Sequence, residues 1–369
     1  MSGEQPKRVI IPILAGLGNS LMATPMVRQI KRAWPDCQIT ILARSGAMAE
    51  PFRRLPEVDE ILITGVGIGA LIRSVRWSRA RRPDVYLIPF PSNRWHYSLL
   101  ALTSRAKVRV LHSYPVGFFT ALGFIGRRMP AEQKIHDVVQ NLRLLKLLGI
   151  EPDETERPTF PISEADRAAA EKLLDGAGVP RGGSFIVVHA GSGSYTVIAR
   201  AKRWPPVSYA QLITSMRDEL DKSVVIVEGP DESGVTDSIL SHMGSKDRIY
   251  RIKLAGPLGD AAGIMERAAL YVGSDSGLAH LAASVGRRAV TIFAPADPDR
   301  VCPYGSRDLV VQTGNSCSPC FTYPFKTPYT SSKCREPFCI ETVTVDQVLA
   351  AVRRALSSSH PLPMAPANP

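Results

Sequence analysis

The chain has 369 residues, a length that predicts two domains of roughly 150–180 residues rather than one. Hydrophobic residues make up 44% and charged residues 21%, so a sizeable core can form and the composition argues against global disorder. The formal net charge of +11 indicates an acidic partner such as a phosphorylated substrate, an anionic lipid or a nucleic acid.

The hydropathy and the N-terminus predict where the protein works. No run of 18 apolar residues occurs, so no membrane-spanning helix is expected. The N-terminal residues pass directly into an apolar strand, without the apolar segment and cleavage site of a signal peptide. Both features predict a cytoplasmic protein.

Apolar and amphipathic stretches alternate in the first half of the chain. Val9–Leu14 is a continuous apolar run, as expected for a parallel strand that is covered on both faces. After it, apolar residues recur at helical spacing, namely Ala23, Met26, Val27, Ile30 and Trp34. Further strand-like runs are Ile39–Ala43, Val85–Ile88 and Val108–Leu111. The alternation predicts βαβ units and a parallel sheet.

The same pattern restarts in the second half, after the Pro-rich and acidic stretch Gly149–Pro161. The expected strands are Ser184–His189, Val224–Val227, Leu270–Val272 and Ala289–Phe293, with helices at Glu164–Leu174 and Tyr209–Leu220. We therefore predict Rossmann-like α/β domains at residues 1–160 and 161–343. A helix at 344–356, begun by a Thr344/Gln347 capping box, and a disordered Ser/Pro-rich tail at 357–369 complete the chain.

The strongest chemical signal is the segment from Val272 to His280. A strand ends at Val272-Gly273, and Ser274-Asp275-Ser276-Gly277 then opens a helix that carries His280. Backbone N–H groups at a helix start attract anions, and small residues let a phosphate come close. Asp275 and Ser276 are also good helix caps, which is the structural alternative. Because ligands of α/β sheets bind at the carboxyl ends of strands, we favour a ligand site.

Two other turns follow strands. His189-Ala190-Gly191-Ser192-Gly193-Ser194 can wrap a phosphate with backbone donors, and Lys202 downstream could neutralise it, although Gly/Ser turns and single lysines are common. Gly16-Leu17-Gly18-Asn19 is too short for the dinucleotide fingerprint. It is either a tight turn with Asn19 or Ser20 as helix cap, or the floor of a cleft.

Two clusters leave alternatives open. Cys317, Cys320, Cys334 and Cys339 could hold a structural zinc ion, or be reduced thiols near the ligand pocket. Five arginines with Trp77 in the 73–82 stretch, together with the aromatic segment Val116–Arg128, suit an anionic membrane surface. The alternative for these two stretches is that the arginines form a solvated helix face and the aromatic segment an ordinary core helix.

These motifs resemble those of the ADP-heptose:lipopolysaccharide heptosyltransferases, glycosyltransferase family 9. The matching stretches, from about Val9 to about Leu356, are Gly16–Lys31, Trp34–Leu42, His189–Pro205 and Gly273–Gly305, including Gly-x-Asp-x-Gly-x-x-His-Leu-Ala-Ala and Pro-x-Asp-Pro. The resemblance implies the GT-B fold, in which two Rossmann-like domains with parallel sheets face each other across a cleft. It also implies an inverting, metal-independent glycosyltransferase.

The resemblance also implies roles for residues. Lys202 would contact the donor phosphate and act in catalysis, and Ser192 would belong to the phosphate loop. Glu232 would lie near the base and ribose of the donor, although Asp231 or Glu228 could take that place. The donor's sugar and diphosphate would be held by Asp275, Ser276, Gly277 and His280.

One position departs from the family pattern. The family carries an Asp, proposed as the general base, where this chain has Asn19, and an amide cannot accept a proton at neutral pH. Asp84, His96 or His112 could serve instead, the acceptor could need positioning only, or transfer activity could be lost. We favour a substitute base among the residues that follow strands of the N-terminal domain.

The sequence therefore predicts transfer of a sugar from a nucleotide-diphosphate sugar, with ADP-heptose suspected, to a lipopolysaccharide-like or other cell-surface glycan or glycolipid. No cofactor is expected to be required, a structural zinc ion at the four cysteines is one of the two alternatives left open, and the protein could contact the inner face of the cytoplasmic membrane. Alternatives are a sugar-nucleotide epimerase, a non-heptose transferase of the same fold and a catalytically silent sugar-nucleotide-binding protein. Nucleic acid is disfavoured as a partner because the basic residues form no recognised binding motif.

Overall fold

The computed structural model describes residues 5–92, 95–114, 125–192, 201–230, 232–322 and 339–357. The chain divides into two compact units, one formed by Met1–Pro161 with Tyr323–Pro328 and the other by Ile162–Thr322 with Tyr329–Pro369. Each unit contains one six-stranded sheet.

The first unit is built on a fully parallel sheet with the order β3-β2-β1-β4-β5-β6. Its strands are β1 Arg8–Ile13, β2 Gln38–Ala43, β3 Glu60–Ile63, β4 Val85–Leu87, β5 Val108–Ser113 and β6 Arg127–Pro130. Its helices are Leu17–Met22, Thr24–Ala33, Gly46–Arg53, Ile68–Arg81, Trp95–Thr103 and Asp137–Arg143, followed by the 3₁₀ segment Leu144–Leu148.

The second unit repeats that topology. Its parallel sheet has the order β12-β11-β10-β7-β8-β9. The strands are β7 Phe185–His189, β8 Ser223–Glu228, β9 Ile249–Lys253, β10 Leu270–Ser274, β11 Ala289–Phe293 and β12 Val310–Gln312. The helices are Glu164–Gly176, Pro206–Asp218, Val235–Ser241, Leu258–Arg267, Gly277–Ser284, Pro298–Val301 and Val345–Ser357, with 3₁₀ segments at Arg307–Leu309 and Cys339–Thr342.

The prediction of an α/β protein with two parallel sheets is confirmed. The central strands are apolar throughout, since β7 and β11 are buried at every position, which is why they appear in the sequence as continuous hydrophobic runs. The edge strands β3, β6, β9 and β12 were not predicted, because they are short or mix apolar with exposed polar residues.

The helix boundaries follow capping chemistry. Thr344 and Gln347 form the predicted capping box, with Gln347 Oε1 accepting from the Thr344 N–H at 2.9 Å and Thr344 Oγ1 accepting from the Gln347 N–H at 3.3 Å. Ser163 and Asp166 form a second box, which opens the helix Glu164–Gly176 at the start of the second unit. The tail predicted at 357–369 begins with the last helical residue, and Ser358–Pro369 lie outside the described residues.

Candidate functional site

The two central strands of the second sheet place the site. β7 and β10 are adjacent and parallel, and Gly273 is in register with His189. The strand order reverses between them, since successive strands run outward to β9 on one side and to β12 on the other. Open α/β sheets bind ligands outside the carboxyl ends of strands at such a switch point. The residues that follow β7 and β10 therefore occupy the position where a ligand is expected.

A glycine is required where these two strands meet. A Cβ on Gly273 would lie 2.4 Å from the carbonyl oxygen of His189 and 2.8 Å from the Tyr271 hydroxyl. No side chain fits at that distance, so the backbone of β10 passes close to β7 only because residue 273 is glycine. The glycine that opens the family-like motif therefore has a packing role of its own.

His189 is the hub of a buried hydrogen-bond network. Its Nε2 lies 2.8 Å from Glu232 Oε2, and its Nδ1 lies 3.2 Å from Ser276 Oγ and 3.3 Å from the Tyr271 hydroxyl. Because a carboxylate only accepts, Nε2 carries the proton and donates. In the neutral tautomer Nδ1 then accepts from a hydroxyl of Ser276 or Tyr271. The imidazole thus connects the turn after β8 with the turn after β10.

Glu232 is held in place by both side-chain and backbone donors. Its Oε2 also accepts from the Gly229 N–H at 2.9 Å, and the side chain is 5% exposed. Gly191 leaves the room that the carboxylate fills, because a Cβ there would lie 1.7 Å from Glu232 Oε1. The turn after β7 and the acidic residue after β8 are therefore fitted to each other.

The structure separates the three acidic candidates of this turn. Glu228 is buried at the end of β8 and pairs with Arg251, whose Nη2 lies 2.8 Å from Glu228 Oε2. Asp231 lies outside the described residues. Glu232 is the one that hydrogen-bonds to His189, next to the residues that follow β10.

Ser276 has the N-cap position that the structural alternative gave it, but it does not act as a side-chain cap. Ser276 stands at the N-cap position of the described helix Gly277–Ser284, but its side chain makes no capping hydrogen bond. The hydroxyl turns instead toward His189 and Tyr271. Because no side chain from the N-cap covers the first turn, its backbone N–H groups can meet an anion at the positive end of the helix dipole.

Lys202 and Asp275 form an ion pair beside this helix start. Lys202 Nζ lies 2.5 Å from Asp275 Oδ2, and the side chains are 20% and 9% exposed. Two residues further on, Trp204 is buried, its Nε1 donates to the Val343 carbonyl at 2.9 Å and its ring packs edge-on against Tyr209. The structure thus brings together two residues that are 73 positions apart in the sequence.

His280 lies on the same helix, one turn further on. Burial lowers its pKa to about 4, an effect that Asp275 opposes and Lys202 reinforces. The imidazole is therefore neutral at pH 7. Ser192 directly follows Gly191 and is half-buried, while the rest of that turn, 193–200, lies outside the described residues.

The neighbouring strand contributes a second loop at this edge. In Ala294–Pro298, Asp297 caps the short helix Pro298–Val301 by accepting from the Asp299 N–H at 3.1 Å. Burial raises the pKa of Asp297. The Pro-x-Asp-Pro motif marks this loop in the sequence, whereas the part played by Tyr271, the fit of Gly191 to Glu232 and the linking role of His189 were not predicted. A tyrosine inside an otherwise apolar strand was the available signal, since its buried hydroxyl needs a partner.

In the first unit, Asn19 lies inside the helix Leu17–Met22 and is half-buried. The N-cap is Gly16, and its position carries no side-chain cap. The interpretation of Asn19 or Ser20 as the cap is therefore wrong. Asn19 remains at the carboxyl end of β1, the central strand of this sheet.

The prediction that Asp84 follows a strand is wrong, because Asp84 precedes β4 at the opposite edge of the sheet. Its Oδ2 accepts from the backbone N–H groups of Lys7 and Arg8, and its Oδ1 pairs with Lys107 Nζ at 2.8 Å. Burial raises the pKa of Asp84, but these donors outweigh it and lower the pKa overall. Asp84 fastens β1 to β4 and is removed from the candidate bases.

The two histidine candidates differ in exposure. His112 is 1% exposed on β5, and burial lowers its pKa to about 4, so it is a weak base at neutral pH. His96 is half-buried in the first turn of the helix Trp95–Thr103, which follows β4 at the carboxyl edge. Of the three proposed substitutes, His96 is the one that combines this edge with partial exposure.

The zinc prediction stays a prediction. Cys317 is exposed, Cys320 is half-buried and Cys339 is buried, while Cys334 lies outside the described residues. In the described part of the chain, no three His, Cys, Asp or Glu side chains converge to hold a metal ion. Cys317, Cys320 and Cys339 therefore do not form a site by themselves.

The membrane prediction rests on two segments, of which the structure describes one in full and the other only in part. Residues 115–124 of the aromatic segment lie outside the described residues, and Ile125 is buried. The arginine-rich stretch forms the helix Ile68–Arg81, with Trp77 packed against the core. Among the described residues, no helix is long and apolar enough to cross a membrane.

Known proteins are similar to this chain in sequence. The family model described as "Glycosyltransferase family 9 (heptosyltransferase)" matches residues 95–329. Lipopolysaccharide heptosyltransferase 2 of Salmonella typhimurium is 26% identical over 322 residues, which cover 80% of this chain and 85% of the relative.

Two solved structures share the fold. The crystal structure of a family 9 glycosyl transferase from Veillonella parvula has a TM-score of 0.75 at 21% identity and covers 96% of this chain and 98% of its own. The Escherichia coli ADP-heptose lps heptosyltransferase II has a TM-score of 0.70 at 18% identity and covers 95% and 98%. The predicted GT-B class of fold is confirmed by these matches.

Proposed function

The chain belongs to glycosyltransferase family 9, and we propose that it transfers a sugar from a nucleotide-diphosphate sugar to a lipopolysaccharide-like or other cell-surface glycan. The proposed donor is ADP-heptose, and the proposed acceptor is a glycolipid at the inner face of the cytoplasmic membrane. The names of the matching proteins support this choice, since they are heptosyltransferases of lipopolysaccharide.

The observation that carries the proposal is the Lys202–Asp275 pair at the uncapped start of the helix Gly277–Ser284. A diphosphate at that position would meet the backbone N–H groups of the first turn and the ammonium group of Lys202. Asp275 keeps Lys202 oriented while the site is empty. In this proposal, Ser276, Gly277 and His280 contact the diphosphate or the sugar, and Ser192 adds a donor from the turn after β7.

Glu232 is proposed to bind the nucleoside end of the donor. A ribose hydroxyl can donate to its carboxylate, which His189 and Gly229 already orient. The same carboxylate cannot approach the diphosphate without repulsion between like charges. The donor would therefore lie with its ribose at the turn after β8 and its diphosphate at the helix start after β10.

In the proposed reaction, an acceptor hydroxyl attacks the anomeric carbon from the face opposite the leaving group. The new C–O bond forms as the bond to the diphosphate oxygen breaks, so the configuration inverts and the nucleotide diphosphate leaves. The electron pair of the broken bond stays on the diphosphate, where Lys202 and the helix N–H groups stabilise it. This stabilisation needs no metal ion, and we expect transfer to continue in the presence of EDTA.

The acceptor proton needs a base, and Asn19 cannot supply one. We propose His96 for this role because it follows β4 at the carboxyl edge of the first sheet and is partly exposed. A His96→Ala variant should then lose transfer while keeping donor affinity. A His96→Ala variant with the kcat of the wild type would contradict this role.

Asn19 also favours a second candidate function, a sugar-nucleotide-binding protein without transfer activity. The two functions share the donor site and differ in turnover. Release of nucleotide diphosphate from a bound donor, by transfer or by slow hydrolysis, distinguishes them. Detectable turnover excludes the silent protein.

Thermal unfolding with a panel of nucleotide sugars tests the donor site. We expect saturable stabilisation by one nucleotide sugar and its loss in Asp275→Ala. The matched control is Asp346→Asn, an exposed carboxylate in the first turn of the C-terminal helix. If no nucleotide sugar stabilises the protein, the proposed function fails. If Asp275→Ala keeps full affinity, the donor site lies elsewhere.

A further inference from the structure

Exposed apolar side chains concentrate on one part of the first unit. Seven large hydrophobic side chains are exposed among the described residues, and six of them lie at the end of β3, in the loop that follows it or on two helices of the first unit: Ile63, Val66, Ile68, Ile72, Trp95 and Leu102. Val66 and Ile68 are 75% and 79% exposed. Such a cluster on a soluble surface marks an interaction site more often than a chance arrangement.

The helix Ile68–Arg81 has two distinct faces. Leu71 and Val75 pack against the core of the first unit. Ile68 and Ile72 lie one turn apart on the outer face, and Arg76 continues the same row. The outer face therefore begins apolar and becomes basic along its length. We call Val66, Ile68, Ile72 and Arg76 the Ile68 surface.

Hydrogen bonds fix this segment to the body of the unit. Arg73 donates to the Thr64 carbonyl through Nε at 3.1 Å and Nη2 at 2.6 Å, and the Thr64 N–H donates to the Ala43 carbonyl at 2.8 Å. Arg79 Nε donates to the Thr103 carbonyl at 3.0 Å, which joins the helix to Trp95–Thr103. The apolar side chains are thus displayed by a supported loop and helix start.

The surface lies at a defined edge of the sheet. The loop before the helix Ile68–Arg81 follows β3, and Trp95 opens the helix after β4. Because the strands are parallel, both are on the side where the turn Gly16–Asn19 follows β1. This is the side at which the first unit would receive an acceptor.

The surrounding sequence is almost free of acidic residues. From Thr64 to Ala131 there are eleven basic side chains and one acidic, Asp84, a formal charge of +10 against +11 for the whole chain. Asp84 is at the opposite edge and paired with Lys107. The positive charge of the protein is therefore concentrated in the part of the chain that carries the exposed apolar residues.

We propose that the Ile68 surface, together with Trp95, docks onto an anionic lipid bilayer. Aliphatic and indole side chains at the edge would enter the boundary of the acyl chains, and Arg76 and its neighbours would pair with lipid phosphates. A nucleic acid would pair with the basic side chains but would leave the exposed side chains of Val66, Ile68 and Ile72 without apolar partners. The inference extends the proposed function to the surface that reaches the acceptor, and needs that function only for the lipid nature of the acceptor.

Sedimentation with vesicles tests the docking of the full-length chain without donor or acceptor. We expect binding to vesicles of phosphatidylglycerol and phosphatidylcholine, and at least tenfold weaker binding to phosphatidylcholine alone. Ile68→Ser with Ile72→Ser should weaken binding at least tenfold. Arg76→Glu changes the charge by two and should weaken it roughly twentyfold.

Matched controls come from the second unit. Val207→Ser removes its exposed hydrophobic side chain, and Lys172→Glu reverses an exposed lysine. Both should bind as the wild type does. Trp95 gives an optical readout, because its emission should shift to the blue on anionic vesicles and the shift should disappear in Trp95→Phe.

Three results would overturn the proposal. One is equal binding to anionic and neutral vesicles, or none to either. Another is unchanged binding by both the Ile68/Ile72 and the Arg76 variants when their melting temperatures match the wild type. The third is concentration-dependent self-association that the Ile68/Ile72 variant abolishes, which would make the surface a contact between two copies. None of these results depends on donor binding, so failure here leaves the proposed transfer function standing.

Discussion

His189 Nε2 and Glu232 Oε2 lie 2.8 Å apart, and both side chains are buried. The pair joins a strand end to a turn 43 residues further along the chain. Through Nδ1 the same imidazole reaches Ser276. The two ends of the proposed donor site are therefore connected by one side chain. A substitution at one end can then alter hydrogen bonding at the other.

Replacement of Glu232 should separate its structural role from its binding role. Glu232→Ala leaves His189 and the Gly229 N–H without an acceptor, so we expect a loss of about 3 kcal/mol in the free energy of unfolding. Glu232→Gln can place its amide oxygen at the position of Oε2, where both donors converge, and should lose only about 1 kcal/mol because a charged acceptor becomes a neutral one. Urea unfolding measures both.

Donor affinity gives the second readout for these variants. Glu232→Gln should weaken nucleotide-sugar binding about tenfold, because a charge-assisted hydrogen bond to the ribose becomes a neutral one. The exposed carboxylate of Glu341 provides the control, and Glu341→Gln should change neither quantity. Full donor affinity in Glu232→Gln would show that Glu232 only supports the turn.

Gly191→Ala tests how closely the turn after β7 fits Glu232. The added methyl would occupy the place of the Glu232 carboxylate, so one of them must move, at a cost of about 1–3 kcal/mol in stability. Donor affinity should fall as well. Gly244→Ala is the matched control, since a Cβ there meets nothing within 4 Å. Equal thermal stability of the two variants would contradict the close packing.

Much of the fold was predictable because the central strands are buried on both faces and their apolar runs are unmistakable. The position of the site was predictable too, since it needs only the rule that ligands bind at the carboxyl ends of strands. The hydrogen-bond partners of the site residues were not predictable. Ser276 has the sequence pattern of a helix cap, but its hydroxyl lies within hydrogen-bond distance of His189 and Tyr271 instead. His189 is far from Ser276 in the sequence, and Tyr271 lies on the strand just before it.

Asp84 shows a different limit of the sequence. The predicted strand began directly after it, and whether a carboxylate lies before or after a strand decides which edge of the sheet it occupies. Its actual partners, the backbone N–H groups of Lys7 and Arg8, lie at the start of β1 and are more than 70 residues away in the sequence. No local sequence pattern predicts such a contact.

Asp84→Asn should lower stability without affecting transfer. The folded pKa of Asp84 lies below its usual value, so its contribution is fully present above about pH 4 and is lost as the pH falls through the folded pKa. At pH 7 the variant should lose about 1–3 kcal/mol in the free energy of unfolding, and the difference from the wild type should narrow in acid. A large fall in kcat with donor affinity retained would return Asp84 to the candidate bases.

The neutral imidazole of His280 should make stability depend on pH in a different range. Its folded pKa is about 4, below the usual value for histidine. As the pH falls below about 6.5, this histidine therefore takes up a proton in the unfolded chain but stays neutral in the folded protein. Stability from this group is complete above that pH and declines toward pH 4, by up to about 1.4 kcal/mol per pH unit.

Urea unfolding of the wild type and His280→Gln between pH 7 and pH 5 isolates this contribution, because carboxylates titrate alike in both proteins and cancel in the difference. We expect a steeper loss in the wild type, and parallel curves would contradict the buried neutral imidazole. Saturating ADP adds a test of the site. A diphosphate beside His280 favours the protonated form, so the ligand should reduce the pH dependence of the wild type and leave that of His280→Gln unchanged.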